Sequence, residues 1–214
     1  MKEAPTPDRQ PLLLVGATGV VGQAVLRLLQ GRYRIVTAGP VDSDIEMDLG
    51  DCASVVAAVA SSPAGWKAVV CAAGLGNFAP LQDIAAAPMD TSVYGLGLLN
   101  KLLGQVNLAL AAREHLCDGG SITLVTGIAT EQPIRGGSGY TLANSAVEGF
   151  VRAAAIEMPR GIRINVVSPG VLAESPPPVF DLFPGFEPVP AARVALAYRR
   201  SIEGLQTGQV FKVW

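Results

Sequence analysis

Between Leu12 and Gly22 an apolar run, Leu12-Leu13-Leu14-Val15, breaks into three glycines spaced G-x-x-G-x-x-G at Gly16, Gly19 and Gly22. Such a run reads as a buried strand, a tight turn and the first turn of a helix. The glycines open backbone conformations closed to other residues, and they let a phosphate approach main-chain N–H groups without meeting a Cβ. Val20, Val21, Ala24, Val25, Leu28 and Leu29 then keep a helical period, and Gly31 stops it. Strand, glycine turn and helix follow in the order a dinucleotide fold needs. A purely structural turn makes the same short pattern, so the rest of the chain has to decide.

Strand-like and helix-like segments alternate from end to end, which predicts an α/β fold: one doubly wound parallel sheet of about seven strands with helices on both faces. The strands are expected at 12–15, 34–38, 45–47, 68–71, 121–126, 163–167 and 209–213, with helices over 53–60, 90–115 and 140–158. Near-continuous apolar strands such as Ile122-Thr-Leu-Val125 are what burial on both sheet faces produces. Right-handed crossovers bring the carboxyl ends of such strands to one edge, where ligands bind. Successive prolines in Ser175-Pro-Pro-Pro178, followed by Phe180, Phe183 and Phe186, predict a loop without regular helix. It is either a lid or partner surface, or a rigid connector packed on the core.

A chain of 214 residues suits a single domain, expected over 11–214 after a flexible lead-in at 1–10 that has two prolines and no apolar stretch of a signal peptide. Half the residues are hydrophobic, yet no uninterrupted apolar run of about 18 or more is present, so a soluble, cytoplasmic protein with no membrane partner is expected. A net charge of −2 without a basic run argues against nucleic acid. The three cysteines, Cys52, Cys71 and Cys117, lack C-x-x-C spacing and His115 is the only histidine, so neither a disulfide framework nor a metal site is supported; buried or inert thiols are expected.

Several patterns line up in order. Gly16-Ala-Thr18-Gly19-Val20-Val21-Gly22 occupies the glycine turn, Asp48-Leu49 follows the third strand, and Cys71-Ala72-Ala73-Gly74 ends the fourth. Tyr140-Thr-Leu-Ala-Asn144 opens a helix, and Gly161-Ile-Arg-Ile-Asn-Val-Val-Ser-Pro169-Gly170-Val171 and Thr207-Gly-Gln-Val210 come after it. Together they resemble the short-chain dehydrogenase/reductase family, Rossmann-fold oxidoreductases that use NAD or NADP. The resemblance implies a dinucleotide held by Gly16, Thr18, Gly19, Val20, Val21, Asp48, Leu49, Ala72, Ala73, Gly74, Pro169, Gly170 and Val171. It also implies a homodimer or homotetramer. Leu98, Leu99, Leu102, Leu103, Leu108 and Leu110 agree with that, since they are more apolar positions than one helix face buries.

The catalytic set departs from the family pattern. The family's proton-donating tyrosine is matched by Tyr140, but its lysine four residues later is Asn144, and its serine thirteen residues before is Gly127. Thr126, Thr130 and Ser138 are the hydroxyls that could substitute, but none is in the family register. The family's helix asparagine falls on Lys101, or on Asn100 if the register slips by one. A phenol titrates near 10, and a cation within about 4–6 Å lowers an acidic pKa by roughly 1–3 units, so Tyr140 stays an acid unless Lys101 reaches it. The reading is reduction of a small carbonyl compound with Tyr140 as proton donor, Lys101 as the charge, and Asn144 and Thr126 beside them. The alternative is a catalytically impaired NAD(P)-binding protein acting as a redox sensor or assembly partner. Asp42, turned inward from the second strand, would favour NAD; Arg9, Arg32 and Arg34 do not establish NADP, and the choice between NAD and NADP stays open.

Overall fold

The structure is a computed structural model that describes residues 9–61 and 65–214. Residues 1–8 of the lead-in expected at 1–10 lie outside the described residues. Seven strands form one parallel sheet: β1 (Pro11–Val15), β2 (Arg34–Gly39), β3 (Ile45–Glu46), β4 (Trp66–Cys71), β5 (Leu116–Val125), β6 (Arg163–Pro169) and β7 (Val210–Val213). Their spatial order is β3-β2-β1-β4-β5-β6-β7, so the chain reverses direction across the sheet between β1 and β4. The seven expected strands are all present. The main difference is in β5, which starts at Leu116 and leaves Thr126 just beyond its end.

Alternation along the strands sends side chains to two cores. Leu12, Leu14, Ala68, Val70 and Val167 pack under α1 (Val20–Leu29) and α6 (Ala191–Glu203). Leu13, Val69, Cys71, Ile122 and Ile164 pack on the opposite face under α2 (Cys52–Ala60), α3 (Gly104–His115) and α4 (Ser138–Glu157). Burial on both faces explains the unbroken apolar runs. Helix α6 lies beyond the Pro-rich loop and was not among the expected helices. Its period of Val194, Ala195, Tyr198 and Ile202 is fully buried, and Pro190 stands at its start.

Two other elements differ from expectation. The segment 90–115 is not one uniform helix: hydrogen bonds from Thr91 and Ser92 to the Pro88 carbonyl form a turn, a π-helical stretch follows over Gly97–Leu103, and α3 continues from Gly104. The Pro-rich loop contains a one-turn helix, α5 (Pro177–Phe180), because prolines in a first turn lose no intrahelical hydrogen bond. The loop is held at its base: Val189 N–H donates to the Val171 carbonyl, and Ala173 N–H donates to the Val189 carbonyl. Both carboxylate oxygens of Glu174 accept from Ala191 N–H at the start of α6, each at 3.0 Å.

Candidate active site

At the switch point, the turn after β1 and the end of β4 enclose a cavity of about 290 Å³. Gly16 takes φ +81°, and a Cβ there would come 2.7 Å from the Ala73 Cβ, so any other residue meets both backbone strain and a clash. Gly22 packs α1 onto this turn, since a Cβ would overlap the Gly16 carbonyl. Gly19 caps α1 with no side-chain hydrogen bond, which leaves first-turn N–H groups without a side-chain partner where an anion is favoured. Thr18, Gly19, Asp48, Leu49 and Ala72–Gly74 line the cavity with Gly16. Asp48 is held in place by accepting from Gly50 N–H at 2.8 Å. Val20 and Val21 do not line it: Val20 is exposed, and Val21 packs toward the α1 core.

The β2 end contributes Gly39 and Pro40 to this cavity. Asp42 is exposed with φ +47° and lies outside the lining, so it does not turn inward. Asp44 is engaged instead by the Thr37 N–H and hydroxyl, each at 2.8 Å, and those hydrogen bonds hold its pKa below the usual carboxylate value.

A second cavity of about 360 Å³ opens at the carboxyl ends of β5 and β6. Tyr140, Lys101, Asn144, Thr126 and Gly127 share it, with Pro169, Gly170 and Val171 along the other wall. Tyr140 and Asn144 lie one turn apart on α4 and share its inner face, as i and i+4 residues do. Lys101 comes from the π-helical stretch, is 5% exposed, and sets its Nζ 5.9 Å from the Tyr140 ring centroid. Its stem lies against Gly74, where a Cβ would come 2.8 Å from the Lys101 Cγ. Among the described residues it has no ion-pair partner, and burial pulls its pKa down to about 8, with the Cys71 thiol opposing that shift. The ammonium is therefore still charged at pH 7. Burial raises the Tyr140 phenol above its ordinary pKa, while the Gly76 backbone N–H pulls the other way. Tyr140 is an acid at neutral pH.

Asn100 and Lys101 of the π-helical stretch line different cavities. Asn100 Oδ1 accepts from Leu75 N–H at 2.8 Å and lines the first cavity, whereas Lys101 lines the second. Each register weighed for the asparagine thus has a residue at a cavity. Thr126 lines the second cavity, but its hydroxyl donates to the buried Glu148 carboxylate at 3.0 Å. Thr130 donates to the same oxygen, and Ser138 pairs with the Tyr94 hydroxyl. None of the three hydroxyls takes over the position of the side chain missing at Gly127. Asn144 is 2% exposed and, among the described residues, its Oδ1 has no hydrogen-bond partner. A buried amide oxygen without a partner is costly. Residues that the sequence patterns do not mark are Phe78, whose ring lies 4.5 Å from that of Tyr140, and the buried Gln105, while Ser175 and Phe183 of the Pro-rich loop stand on the cavity wall. Only tertiary proximity identifies Phe78 and Gln105.

Of the cysteines, Cys71 is buried and its pKa is pushed up to about 11, Cys117 is half-buried and Cys52 is exposed. Among the described residues no cluster of His, Cys, Asp and Glu is arranged to hold a metal ion, and no helix is long and apolar enough to cross a membrane.

A family model described as enoyl-(acyl carrier protein) reductase matches residues 24–187. The crystal structure of the protein lin1944 from Listeria innocua superposes with a TM-score of 0.90 at 41% identity, covering 96% of this chain and all of that one. A small-chain dehydrogenase in complex with NADPH shares the fold at 22% identity and a TM-score of 0.82, covering 96% of this chain and 97% of that one. Dehydrogenase/reductase SDR family member 4 of Homo sapiens is 40% identical over 95 residues, which is 44% of this chain and only 32% of the relative's length. With a family model matched over residues 24–187 and a 41%-identical structure superposing on the seven-stranded parallel sheet, the chain belongs to the short-chain dehydrogenase/reductase family.

Proposed function

We propose that this protein is an NAD(P)H-dependent reductase of a carbonyl compound, with Tyr140 as proton donor and Lys101 as the cation of the site. The observation that carries the reading is the convergence of the protonated Tyr140 phenol and the buried, charged Lys101 in one cavity, next to the glycine cradle at Gly16. The residues present fit a dinucleotide: the Gly16 cradle excludes a Cβ, the first turn of α1 offers N–H groups, and Asn144 Oδ1 awaits a donor. Gly16, Thr18 and Gly19 would hold the pyrophosphate, with Val20 and Val21 supporting them only as the first turn of α1. Asp48, Leu49 and Ala72–Gly74 would hold the adenosine side. Asn144 would accept from a ribose hydroxyl, with Pro169, Gly170 and Val171 beside the nicotinamide.

When bound, the reduced nicotinamide supplies a hydride, and with it both electrons, to the carbonyl carbon. Tyr140 gives its proton to the carbonyl oxygen, which becomes the alcohol hydroxyl. The Lys101 ammonium, held in a poorly solvated site, stabilises the phenolate left on Tyr140. Oxidation of alcohols would need that phenolate at the outset, and burial opposes it, so reduction is the favoured direction. Thr126 supports the cavity wall through Glu148 and takes no proton.

The test is loss of NADH or NADPH absorbance with a panel of aldehydes and ketones. Tyr140→Phe is expected to lower the rate by about 10²–10⁴, the usual worth of a positioned acid; unchanged turnover overturns the reading. Thermal-shift titration with NAD, NADH, NADP and NADPH identifies the preferred dinucleotide, because a ligand that binds the folded state raises its apparent stability. Stabilisation without turnover across the panel would instead mark a cofactor-binding protein. The proposal includes a homo-oligomer: Leu96, Leu99, Leu103 and Leu110 are each 41–46% exposed along one continuous helical segment, and a single-chain mass by light scattering overturns that part.

A further inference from the structure

Next to the Tyr140 cavity lies a larger one of about 580 Å³, walled by Pro80, Ile134, Gly136, Leu182, Pro184 and Phe186. The two cavities share one residue, Phe78. Its ring stacks 4.5 Å from Tyr140 at a tilt of 34°, yet remains 45% exposed. The segment around α5 supplies walls to both: Val179 and Phe183 face the Tyr140 cavity, while Leu182, Pro184 and Phe186 face the outer one. Phe183 and Phe186 contact each other edge to face at 5.5 Å, which ties the two walls together. An apolar cleft of this size that adjoins the Tyr140 cavity through Phe78 has the character of a small-molecule pocket. Its only charged lining residues, Arg135 and Asp181, are opposite in sign and both exposed, which selects neither an anion nor a cation.

We infer that the substrate is a carbonyl compound on an uncharged hydrocarbon body, whose carbonyl lies at Tyr140 and whose body passes Phe78 into the outer cavity. Phe78 is then the residue that sets how large a body is accepted. The inference rests on the reductase reading and adds the class of substrate to it. Depth of apolar burial, not charge pairing, supplies the selectivity.

The experiment compares propanal, hexanal and decanal as substrates, and in parallel measures thermal stabilisation by the matching alcohols in the presence of oxidised cofactor. Each methylene buried is expected to raise kcat/KM about fourfold, as the transfer energy of a methylene converts, until the cavity is filled. The alcohols should stabilise the protein in the same order. Ile134→Trp, which fills the outer cavity, should flatten the rise with chain length, and Leu182→Trp on the facing wall serves if the first variant does not fold. Equal kcat/KM for propanal and decanal, with no graded stabilisation by the alcohols, overturns the inference and leaves the reductase intact. Graded stabilisation by the alcohols without turnover of any aldehyde supports the hydrocarbon pocket and overturns the reductase.

Discussion

At Gly127 the backbone is extended, with φ 176° and ψ 163°, and an added Cβ would lie 3.6 Å from Asn144 Nδ2 and 3.7 Å from the Pro169 carbonyl oxygen. Both are ordinary contacts, so nothing steric requires glycine there. Gly127→Ser should keep the wild-type melting temperature and bring a hydroxyl into the Tyr140 cavity. One positioned donor to a developing oxyanion is worth about 10²–10³ in rate, so a gain in kcat approaching that range is expected, measured by NAD(P)H consumption. Lys101 makes the opposite case, a residue costly to the fold and valuable to the site. Its folded pKa of about 8 lies below the ordinary lysine value of 10.5, so below pH 8 the full cost of burying the charge is present. Between about 8 and 10.5 the unfolded chain binds a proton that the folded chain does not, and stability due to this group rises with pH. Lys101→Met should therefore raise stability at pH 7 by on the order of 1–3 kcal/mol, lose that advantage as pH climbs past 8, and lose turnover. Denaturant melts at pH 7 and pH 9.5 check the sign. Register along the chain marked Tyr140 and left Lys101 and Asn100 as alternatives, and the fold sets Tyr140 and Lys101 in one cavity. The commitment of Thr126 to Glu148 was not legible in the sequence, because a hydroxyl's direction depends on which carboxylate the fold brings beside it.

The element that does most to shape the site is the π-helical stretch Gly97–Leu103. Its consecutive residues Asn100 and Lys101 line different cavities. The buried Gln105 supports it. Its Nε2 donates to the Lys101 carbonyl at 2.8 Å and to the Val125 carbonyl at 2.9 Å, and its Oε1 accepts from Val125 N–H at 2.8 Å. This one amide joins the helix that carries Lys101 to the end of β5. Gln105→Leu keeps the volume but strands buried backbone groups, so a loss on the order of 3 kcal/mol is expected in denaturant melts, with a fall in kcat as Lys101 loosens. Periodicity predicts a plain helix over this stretch, because the same leucines satisfy either winding. Contacts remote in sequence hold this stretch in place, from Gln105 to Val125 and from Gly104, whose backbone lies close to the Leu49 carbonyl. Helix α6 was hidden for a different reason: its amphipathic period is ordinary, but it follows directly on prolines that break helices.

Across the whole molecule, the order β3-β2-β1-β4-β5-β6-β7 places the glycine turn and the β4 end at the switch point, and the Tyr140 cavity beside it at the ends of β5 and β6. By itself the sequence determined the parallel sheet, the glycine cradle and the identity of the residues at the catalytic positions. Those follow from local rules: apolar runs that need burial on both faces, a turn that needs φ above zero, and spacing along a helix. Only the tertiary structure decided that Lys101 stands over Tyr140, that Asn144 is left without a partner, that Thr126 is spent on Glu148, and that Phe78 joins two cavities. Each depends on side chains from separate elements meeting at one sheet edge, where packing and partner choice select among arrangements that local pattern leaves equal in energy.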